Sequence, residues 1–174
     1  YHTVVIGGGC LGAATAVSLQ KKLNKLGKGE KVGLIEKAVL CAAESSRHSG
    51  IVRSANADPD ASMMASISTK MWKNIRDHWG IHMELDEFGA IWIAKKNSDG
   101  DNPAWTDLSK RMEKINLVFE EIDPDSAIQK CGTTLITDKD ESYFYEPAAF
   151  QLDPSILRST LYEAIEENLS LIHI

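Results

Sequence analysis

The sequence has 174 residues, which is enough for one domain with a sizeable hydrophobic core. Its formal net charge of -6, without a run of Lys or Arg, argues against nucleic acid or an anionic membrane surface as a partner. No apolar stretch approaches the length of a membrane span. The three widely spaced cysteines, at 10, 41 and 131, indicate reduced thiols and show no metal-ligand spacing, so no metal site is predicted.

The first predicted elements form a strand–helix–strand unit. The β-branched run 3–6 predicts a fully buried strand, residues 11–26 predict a helix that Gly27 ends, and residues 31–36 predict a second strand. The short connections are typical of a parallel βαβ unit with a right-handed crossover. The apolar positions expected on the buried face of the helix are Leu11, Ala14, Leu19, Leu23 and Leu26.

A Gly-x-Gly-x-x-Gly turn, formed by Gly7, Gly9 and Gly12, lies between the first strand and the helix. In this position the pattern is typical of dinucleotide binding. The first glycine allows the tight turn, the second lets the backbone approach a pyrophosphate, and the third lets the helix lie close to the sheet. The positive end of the helix would face the phosphates. Cys10 and Leu11 are the variable positions of the turn; Cys10 is interpreted as a small filler, with a reactive thiol as the alternative.

A carboxylate, Glu36, ends the second predicted strand, 24 positions beyond Gly12. In a dinucleotide-binding unit this position accepts hydrogen bonds from the adenosine ribose hydroxyls. Because it would repel a 2′-phosphate, it argues against NADP. The alternative is a solvated glutamate at the end of a strand.

The segment after the second strand is a donor-rich loop, Ser45-Ser46-Arg47-His48-Ser49-Gly50. It can wrap the pyrophosphate and the sugar-like chain of a larger cofactor, and an ordinary surface loop is the alternative. His48 is interpreted as a flavin attachment point, a base or a polar loop residue. Arg53 follows two apolar residues and is therefore expected to be partly desolvated. It is either a bidentate clamp for a substrate carboxylate or the partner in a structural salt bridge.

After residue 53 the elements no longer alternate in simple βαβ order, which indicates an α+β unit. A helix from Asp60, ended by Gly80, is expected to bury a Met-rich face, with a ligand-binding surface as the alternative. That face comprises Met64, Ile67, Met71, Ile75 and Trp79. The other predictions are strands at 81–85, 90–94 and 118–122, a helix at 105–115, and helices that begin after Asp123 and Asp153, the last of which runs to about residue 168.

Four motifs in order resemble the FAD-dependent oxidoreductases of the D-amino-acid oxidase type, which include sarcosine oxidase, glycine oxidase and dimethylglycine dehydrogenase. The third motif is the one specific to this family, and the strand at 88–94 is similar to one that begins the family's substrate domain. The motifs are Val4–Ala13, Gly33–Lys37, Ser45–Arg53 and Gln151–Pro154.

The resemblance implies an α/β fold: an incomplete Rossmann-like FAD-binding domain with the start of an α+β substrate domain. The implied parts are 1–56 in the FAD-binding domain, 57–152 as a mixed region with the first part of the substrate domain, and 153–174 returning to the FAD-binding domain. Arg53 matches a family arginine near the flavin and the substrate carboxylate. The residues implied to hold FAD are Gly7, Gly9, Cys10, Leu11, Gly12, Glu36, Lys37, Ser45, Ser46, Arg47, His48, Ser49, Gly50 and Ile51.

The implied activity is hydride transfer to the flavin from the carbon next to the nitrogen of an amino acid or N-methylated amine. The imine product hydrolyses, and the reduced flavin passes its electrons to oxygen or to a carrier.

Three positions depart from family patterns. Gly50 stands where sarcosine oxidase relatives can carry a basic residue, and Phe150 stands where the family often has glycine. His48 lies one residue closer to the glycine than the histidine that attaches flavin in the dimethylglycine dehydrogenase branch.

Two other functions stay open on the residues: an NAD-dependent dehydrogenase, and a non-catalytic nucleotide-binding subunit that kept the fold. Because the first residue is Tyr1, a targeting segment would lie upstream. The run 170–174 is typical of an unfinished strand. We therefore expect the chain to be an N-terminal fragment that is inactive alone.

Overall fold

The computed structural model describes residues 1–132 and 135–173, with the backbone alone at residue 76 and at 170–173. Its helices are α1 (Cys10–Lys25), α2 (Pro59–Lys73), α3 (Ile75–Trp79), α4 (Pro103–Lys114), α5 (Pro124–Cys131) and α6 (Pro154–Asn168), and a 3-10 helix spans Glu44–Ser46. Its strands are β1 (Thr3–Ile6), β2 (Val32–Glu36), β3 (Ile51–Val52), β4 (Ala90–Lys95), β5 (Glu120–Ile122), β6 (Glu141–Glu146), β7 (Phe150–Gln151) and β8 (Ser170–His173).

The chain divides into two compact units, and the first contains the predicted βαβ element. This unit comprises residues 1–50, 74–84 and the segment from 152 onward. β1, β2 and β8 form a parallel sheet in the order β1-β2-β8, and α1 and α6 pack against each other. The βαβ prediction is confirmed, and so are the helix after Asp153 and the strand after it as far as His173. Residue 174 lies outside the described residues.

The prediction of a fully buried first strand is wrong. Val4 and Ile6 are 44% and 83% exposed. In the described part of the chain β1 pairs with β2 alone, so it lies at an edge of the sheet. A β-branched run favours a strand, but its burial depends on which strands and helices lie beside it.

The predicted apolar face of α1 is only partly correct, because Ala14, Leu19 and Leu23 are half-buried. Leu11 and Leu26 are exposed, whereas small residues and one amide, Ala13, Ala16, Val17 and Gln20, form the buried face. Alanine side chains let a helix approach a sheet closely. The buried Gln20 is satisfied because its Oε1 accepts the Val32 N–H at 2.8 Å and its Nε2 donates to the Glu30 carbonyl at 3.2 Å. The predicted end of the helix is confirmed: Gly27 has φ +67° and donates to the Asn24 carbonyl.

The second unit comprises residues 51–73 and 85–151 and is built on an antiparallel sheet in the order β4-β6-β5. The Phe144 ring stacks on Phe119 with centroids 5.4 Å apart and lies 5.6 Å from Trp105. The core therefore lies between the sheet and α4. Its buried members are Ala55, Leu108, Met112, Phe119 and Phe144, with Trp92 and Trp105 packed against them.

The strand predictions in this region are partly correct. Those at 90–94 and 118–122 are confirmed as β4 and β5, and the helix at 105–115 is confirmed as α4. The strand predicted at 81–85 is wrong, because the pairing there is an isolated bridge between Asp86 and Gln151. The central strand β6 is missing from the predictions. Ser142, Tyr143 and Phe144 are all buried, so β6 lacks the alternation that identifies a strand with one solvated face.

Helix α2 presents its apolar side to solvent, contrary to the prediction of a buried Met-rich face. Met64 and Ile67 are 68% and 55% exposed, whereas Ser62, Ser66 and Thr69 are buried. The three hydroxyls donate to carbonyls of their own helix or of the residue preceding it, at 2.8 to 3.1 Å, so their burial leaves no orphaned donor. Small hydroxyl side chains also allow close approach. The helix ends at Lys73, and Ile75 and Trp79 of α3 are buried as predicted.

Candidate dinucleotide-binding site

The glycine turn of the first unit depends on the absence of side chains at two positions. Gly7 has φ +103°, a backbone region that L-residues other than glycine rarely adopt. At Gly12, a Cβ atom would lie 1.9 Å from the carbonyl oxygen of Gly7. Only glycine at 12 therefore lets α1 begin directly against the turn. These positions are two of the three that define the sequence pattern.

The side chain of Glu36 folds back onto this turn. Its Oε2 accepts the Gly8 N–H at 2.7 Å, and its Oε1 accepts the Ala38 N–H at 2.8 Å. The two N–H groups, that of Gly8 first, lower the pKa of Glu36 below its usual range. Each carboxylate oxygen keeps a further lone pair. The group is therefore held in a fixed orientation while it can still accept a ribose hydroxyl.

Gly8 was not among the predicted site residues. A Cβ atom there would lie 2.5 Å from Cδ2 of Leu40 and 3.0 Å from Cβ of Glu36. The run of three glycines at 7–9 was the available signal, since the Gly-x-Gly-x-x-Gly pattern itself leaves position 8 free. Gly8 is thus the point where the turn and the Glu36 carboxylate meet.

The hydrogen bonds of Glu36 lead to a pH-dependent prediction for Glu36→Gln. Since the folded-state pKa of Glu36 is lowered, its contribution to stability is present above the ordinary glutamate pKa and is lost as the pH falls through the lowered pKa. We expect the wild type to have a higher Tm than Glu36→Gln at neutral pH, and the difference to shrink as the pH falls below the ordinary glutamate pKa and through the lowered one. Thermal unfolding across this range measures it, with Glu30→Gln as the matched control. A Tm difference that does not change with pH would contradict the prediction.

The loop after β2 reaches the N-terminus of α1 through one serine. Ser45 Oγ accepts the N–H of Cys10, the first residue of α1, at 3.0 Å. Ser45 and Cys10 are half-buried, while the remaining predicted side chains of the turn and loop in this unit are exposed. These exposed residues are Leu11, Lys37, Ser46, Arg47, His48 and Ser49.

His48 forms a turn with Gly50. The Nδ1 atom of His48 accepts the Gly50 N–H at 2.9 Å, and Gly50 has φ +77°. The Gly50 carbonyl accepts the N–H of Leu152 at 2.9 Å. Because Nδ1 of His48 accepts the hydrogen bond from the Gly50 N–H, Nε2 is the ring nitrogen that remains available to a ligand.

Arg53 and Ile51 belong to the second unit. The Arg53 guanidinium lies 4.4 Å from the centroid of the Trp92 ring, and Nη1 donates to the Ala55 carbonyl at 2.8 Å. Among the described residues, no carboxylate forms an ion pair with Arg53. It adjoins a cavity of about 450 Å³ in this unit. Residues that line the cavity include Arg53, Asn56, Trp92, Trp105, Leu108 and Arg111.

The first unit fits the ADP half of a dinucleotide. Helix α1 begins after Gly9, which has no side chain to cap it, and it has no acidic residue in its first turn. Its first N–H, that of Cys10, bonds to the neutral hydroxyl of Ser45, so no charged group of the helix itself offsets the positive end of its dipole. The turn lacks side chains where a pyrophosphate would approach, and the Glu36 carboxylate lies at the end of β2. A parallel sheet with this turn defines the dinucleotide-binding class of oxidoreductase folds.

Comparison with known protein families identifies the family, within the dinucleotide-binding folds, to which this chain belongs. The family model of FAD-dependent oxidoreductases (DAO) matches residues 2–171. The chain belongs to this family, and its cofactor is FAD. The predictions of the family, the fold class and the cofactor are therefore confirmed. No curated protein matches the sequence.

Several solved structures share the fold. L-proline dehydrogenase from P. horikoshii is 19% identical, with a TM-score of 0.79 over 99% of this chain and 43% of that chain. Glycine oxidase from Geobacillus kaustophilus is 19% identical, with a TM-score of 0.74 over 99% of this chain and 46% of its own. L-amino acid deaminase from Proteus vulgaris is 19% identical, with a TM-score of 0.77 over 98% of this chain and 39% of that one. The chain thus spans less than half the length of these proteins.

Membrane insertion through a helix is not indicated. In residues 1–132 and 135–173, no helix combines the length and the apolar character that crossing a bilayer requires.

Proposed function

We propose that the protein oxidises the CH–NH group of an amino acid or N-methylated amine, with FAD as the hydride acceptor. The observation that carries this proposal is the Arg53 guanidinium, which stacks on Trp92 beside a cavity and forms no ion pair with a described carboxylate. A guanidinium in this state can bind the carboxylate of a substrate bidentately. The named activities of the neighbouring structures, which act on proline, glycine and L-amino acids, support the same substrate class.

The residues of the first unit are proposed to hold the ADP half of FAD. The turn at 7–12 and the first N–H groups of α1 bind the pyrophosphate, Glu36 binds the ribose, and the loop 45–51 runs along the pyrophosphate and the flavin. When bound, FAD supplies the hydride-accepting chemistry. The residues of the chain bind and orient the substrate and the cofactor. Arg53 binds the substrate carboxylate, so that the carbon next to nitrogen is presented to the cofactor.

Anaerobic reduction of the full-length protein with its bound flavin tests this function. Sarcosine, dimethylglycine, glycine, L-proline and D-alanine are added in turn, and loss of the oxidised flavin spectrum is measured. Dimethylamine, which is sarcosine without its carboxylate, is the matched control. We expect at least one amino acid to reduce the flavin and dimethylamine to be much less effective.

Three results would contradict the proposal. A protein that binds no flavin but reduces NAD would be an NAD-dependent dehydrogenase. A protein that binds flavin and is reduced by no member of the panel would be a nucleotide-binding subunit without turnover. Equal reduction by sarcosine and dimethylamine would contradict the part of the proposal that rests on Arg53, because a substrate carboxylate would then not matter, although oxidation of a CH–NH group would remain.

The 174-residue chain alone is proposed to bind FAD weakly and to be inactive. Its edge strand β1 exposes Val4 and Ile6, and the chain spans only 43% and 46% of the length of two neighbouring structures. The flavin-to-protein ratio of the purified chain, compared with that of the full-length protein, measures this. A stoichiometric yellow complex of the 174 residues would contradict it.

A further inference from the structure

Glu146, the last residue of β6, is a fully buried carboxylate with three neutral donors. Its Oε1 accepts the backbone N–H of Ser54 at 2.5 Å and that of Ala55 at 3.2 Å. Its Oε2 accepts the indole Nε1–H of Trp92 at 3.1 Å. A carboxylate in the interior is costly unless several donors satisfy it. Glu146 therefore occupies an interior position that an apolar side chain would fill at a lower desolvation cost.

The three residues that donate hydrogen bonds to Glu146 are also next to Arg53 in the chain or in space. Ser54 is its neighbour in the chain, the Ala55 carbonyl accepts from Arg53 Nη1, and the Trp92 ring lies under its guanidinium. One carboxylate thus holds both groups that Arg53 contacts. Since both contacts are fixed by the same buried group, the direction of the guanidinium depends on Glu146.

Glu146 acts on Arg53 through these neutral groups and not by pairing with it. No ion pair joins the two side chains, so the carboxylate does not occupy the donors of the guanidinium. A direct salt bridge would hold Arg53 equally firmly but would compete with a ligand for the same N–H groups. An arginine that is held by a backbone carbonyl and a ring face keeps a bidentate edge for an anion.

We infer that Glu146 is a positioning residue, which orients Arg53 toward the carboxylate of the substrate. This inference rests on the proposed function. It predicts that Glu146 affects the binding of carboxylate-bearing ligands and does so only through Arg53. A purely structural role would weaken every ligand and would add to the effect of changing Arg53.

Glu146→Gln is the main variant, in the full-length flavin-bound protein. Glutamine offers one acceptor oxygen and one NH₂ donor, so one of the partner N–H groups loses its acceptor while the volume stays nearly constant. The probes are the amino acid of the panel that reduces the flavin and its methyl ester. We expect the Kd of the amino acid to rise about tenfold, as for one lost charge-assisted hydrogen bond. The Kd of the ester and the limiting reduction rate are expected to change less than about twofold.

A double-mutant cycle with Arg53→Lys separates positioning from structure. Arg53→Lys alone is expected to raise the Kd of the amino acid by about tenfold or more, because lysine cannot bind bidentately. In the Arg53→Lys background, Glu146→Gln is expected to add less than about twofold. Glu141→Gln, at the other end of β6, is the matched control; it accepts from the Tyr143 hydroxyl and contacts none of the three donors. Its Kd for the amino acid should equal that of the wild type.

The outcomes distinguish this inference from the proposed function. Additive effects in the cycle, or an equal loss for amino acid and ester, would overturn the positioning role and leave the function intact. No reduction by the panel would overturn the function and the inference together. An unchanged Kd in Arg53→Lys, with reduction by the panel intact, would overturn the role of Arg53 and the inference and leave the function. If Glu146→Gln does not fold, Glu146→Asp keeps the charge but shortens the side chain, which draws the carboxylate away from its three donors. A rise in Kd that disappears in the Arg53→Lys background then supports the inference, and an additive rise overturns it.

Discussion

Replacing Gly12 with alanine is expected to abolish stoichiometric FAD binding. The added Cβ would lie 1.9 Å from the Gly7 carbonyl oxygen, which is a backbone atom and cannot rotate away as a side chain does. The turn must shift, and the N–H groups that face the pyrophosphate shift with it. Overpacking of this kind costs about 3 kcal/mol, which corresponds to a loss of affinity of roughly 100-fold. The flavin-to-protein ratio of the purified variant and its Kd for added FAD measure the effect.

Gly29→Ala is the control for this variant. A Cβ atom at Gly29, in the turn before β2, would meet no atom within 4 Å. We expect it to keep the flavin content of the wild type. A Gly12→Ala protein that retains full flavin would contradict the close approach of α1 to the turn.

Phe144→Ala is expected to destabilise the second unit by about 3–5 kcal/mol, the usual cost of removing a large buried aromatic side chain. Phe144 is 1% exposed, and its ring contacts both Phe119 and Trp105. The cavity would be left between the sheet and α4, among Leu108, Met112 and Phe119. Denaturant unfolding, followed by the fluorescence of Trp92 and Trp105, which pack against this core, measures the change.

Phe88→Ala is the matched control for the core. Phe88 is 60% exposed, so its truncation is expected to change the free energy of unfolding by no more than about 0.5 kcal/mol. Equal losses at positions 88 and 144 would show that the aromatic cluster is not the core of this unit.

The local elements of the first unit were predictable because contiguous residues determine them. A β-branched run favours a strand, Gly27 ends a helix in the left-handed conformation, and Asp153 begins α6 by accepting the Ser155 N–H at 2.7 Å. Each of these signals acts within about five residues. The structures that these local signals specify do not depend on how the rest of the chain packs.

Which face of a helix is buried was not predictable from apolar spacing. In α1 the close-packed side uses alanines and one satisfied amide, and in α2 it uses serines and a threonine that bond to nearby carbonyls. Both surfaces allow close approach, which counts for as much as hydrophobicity when two elements pack. Leu11 of α1 and the methionines of α2 are exposed, and Leu19 and Leu23 are only half-buried.

The residues of the candidate site also divide into those that a local sequence pattern predicts and those that only contacts between distant segments identify. Gly7, Gly12 and Glu36 were found from sequence because their spacing is that of one βαβ unit. Gly8 was missed because the pattern leaves its position free. Glu146 was missed because it stands 92 residues from the Ser54 N–H that it accepts. No local pattern links two residues so far apart.

The sequence by itself determined the class of cofactor, through the glycine turn, the acidic end of β2 and the donor-rich loop. Those features are matters of backbone conformation and short-range hydrogen bonding, which neighbouring residues specify. Only the tertiary structure decided that Glu36 folds back onto Gly8, and that Glu146 holds Ala55 and Trp92, the two residues that contact Arg53. These contacts join segments that are distant in the chain, so they exist only once the sheets and helices have packed.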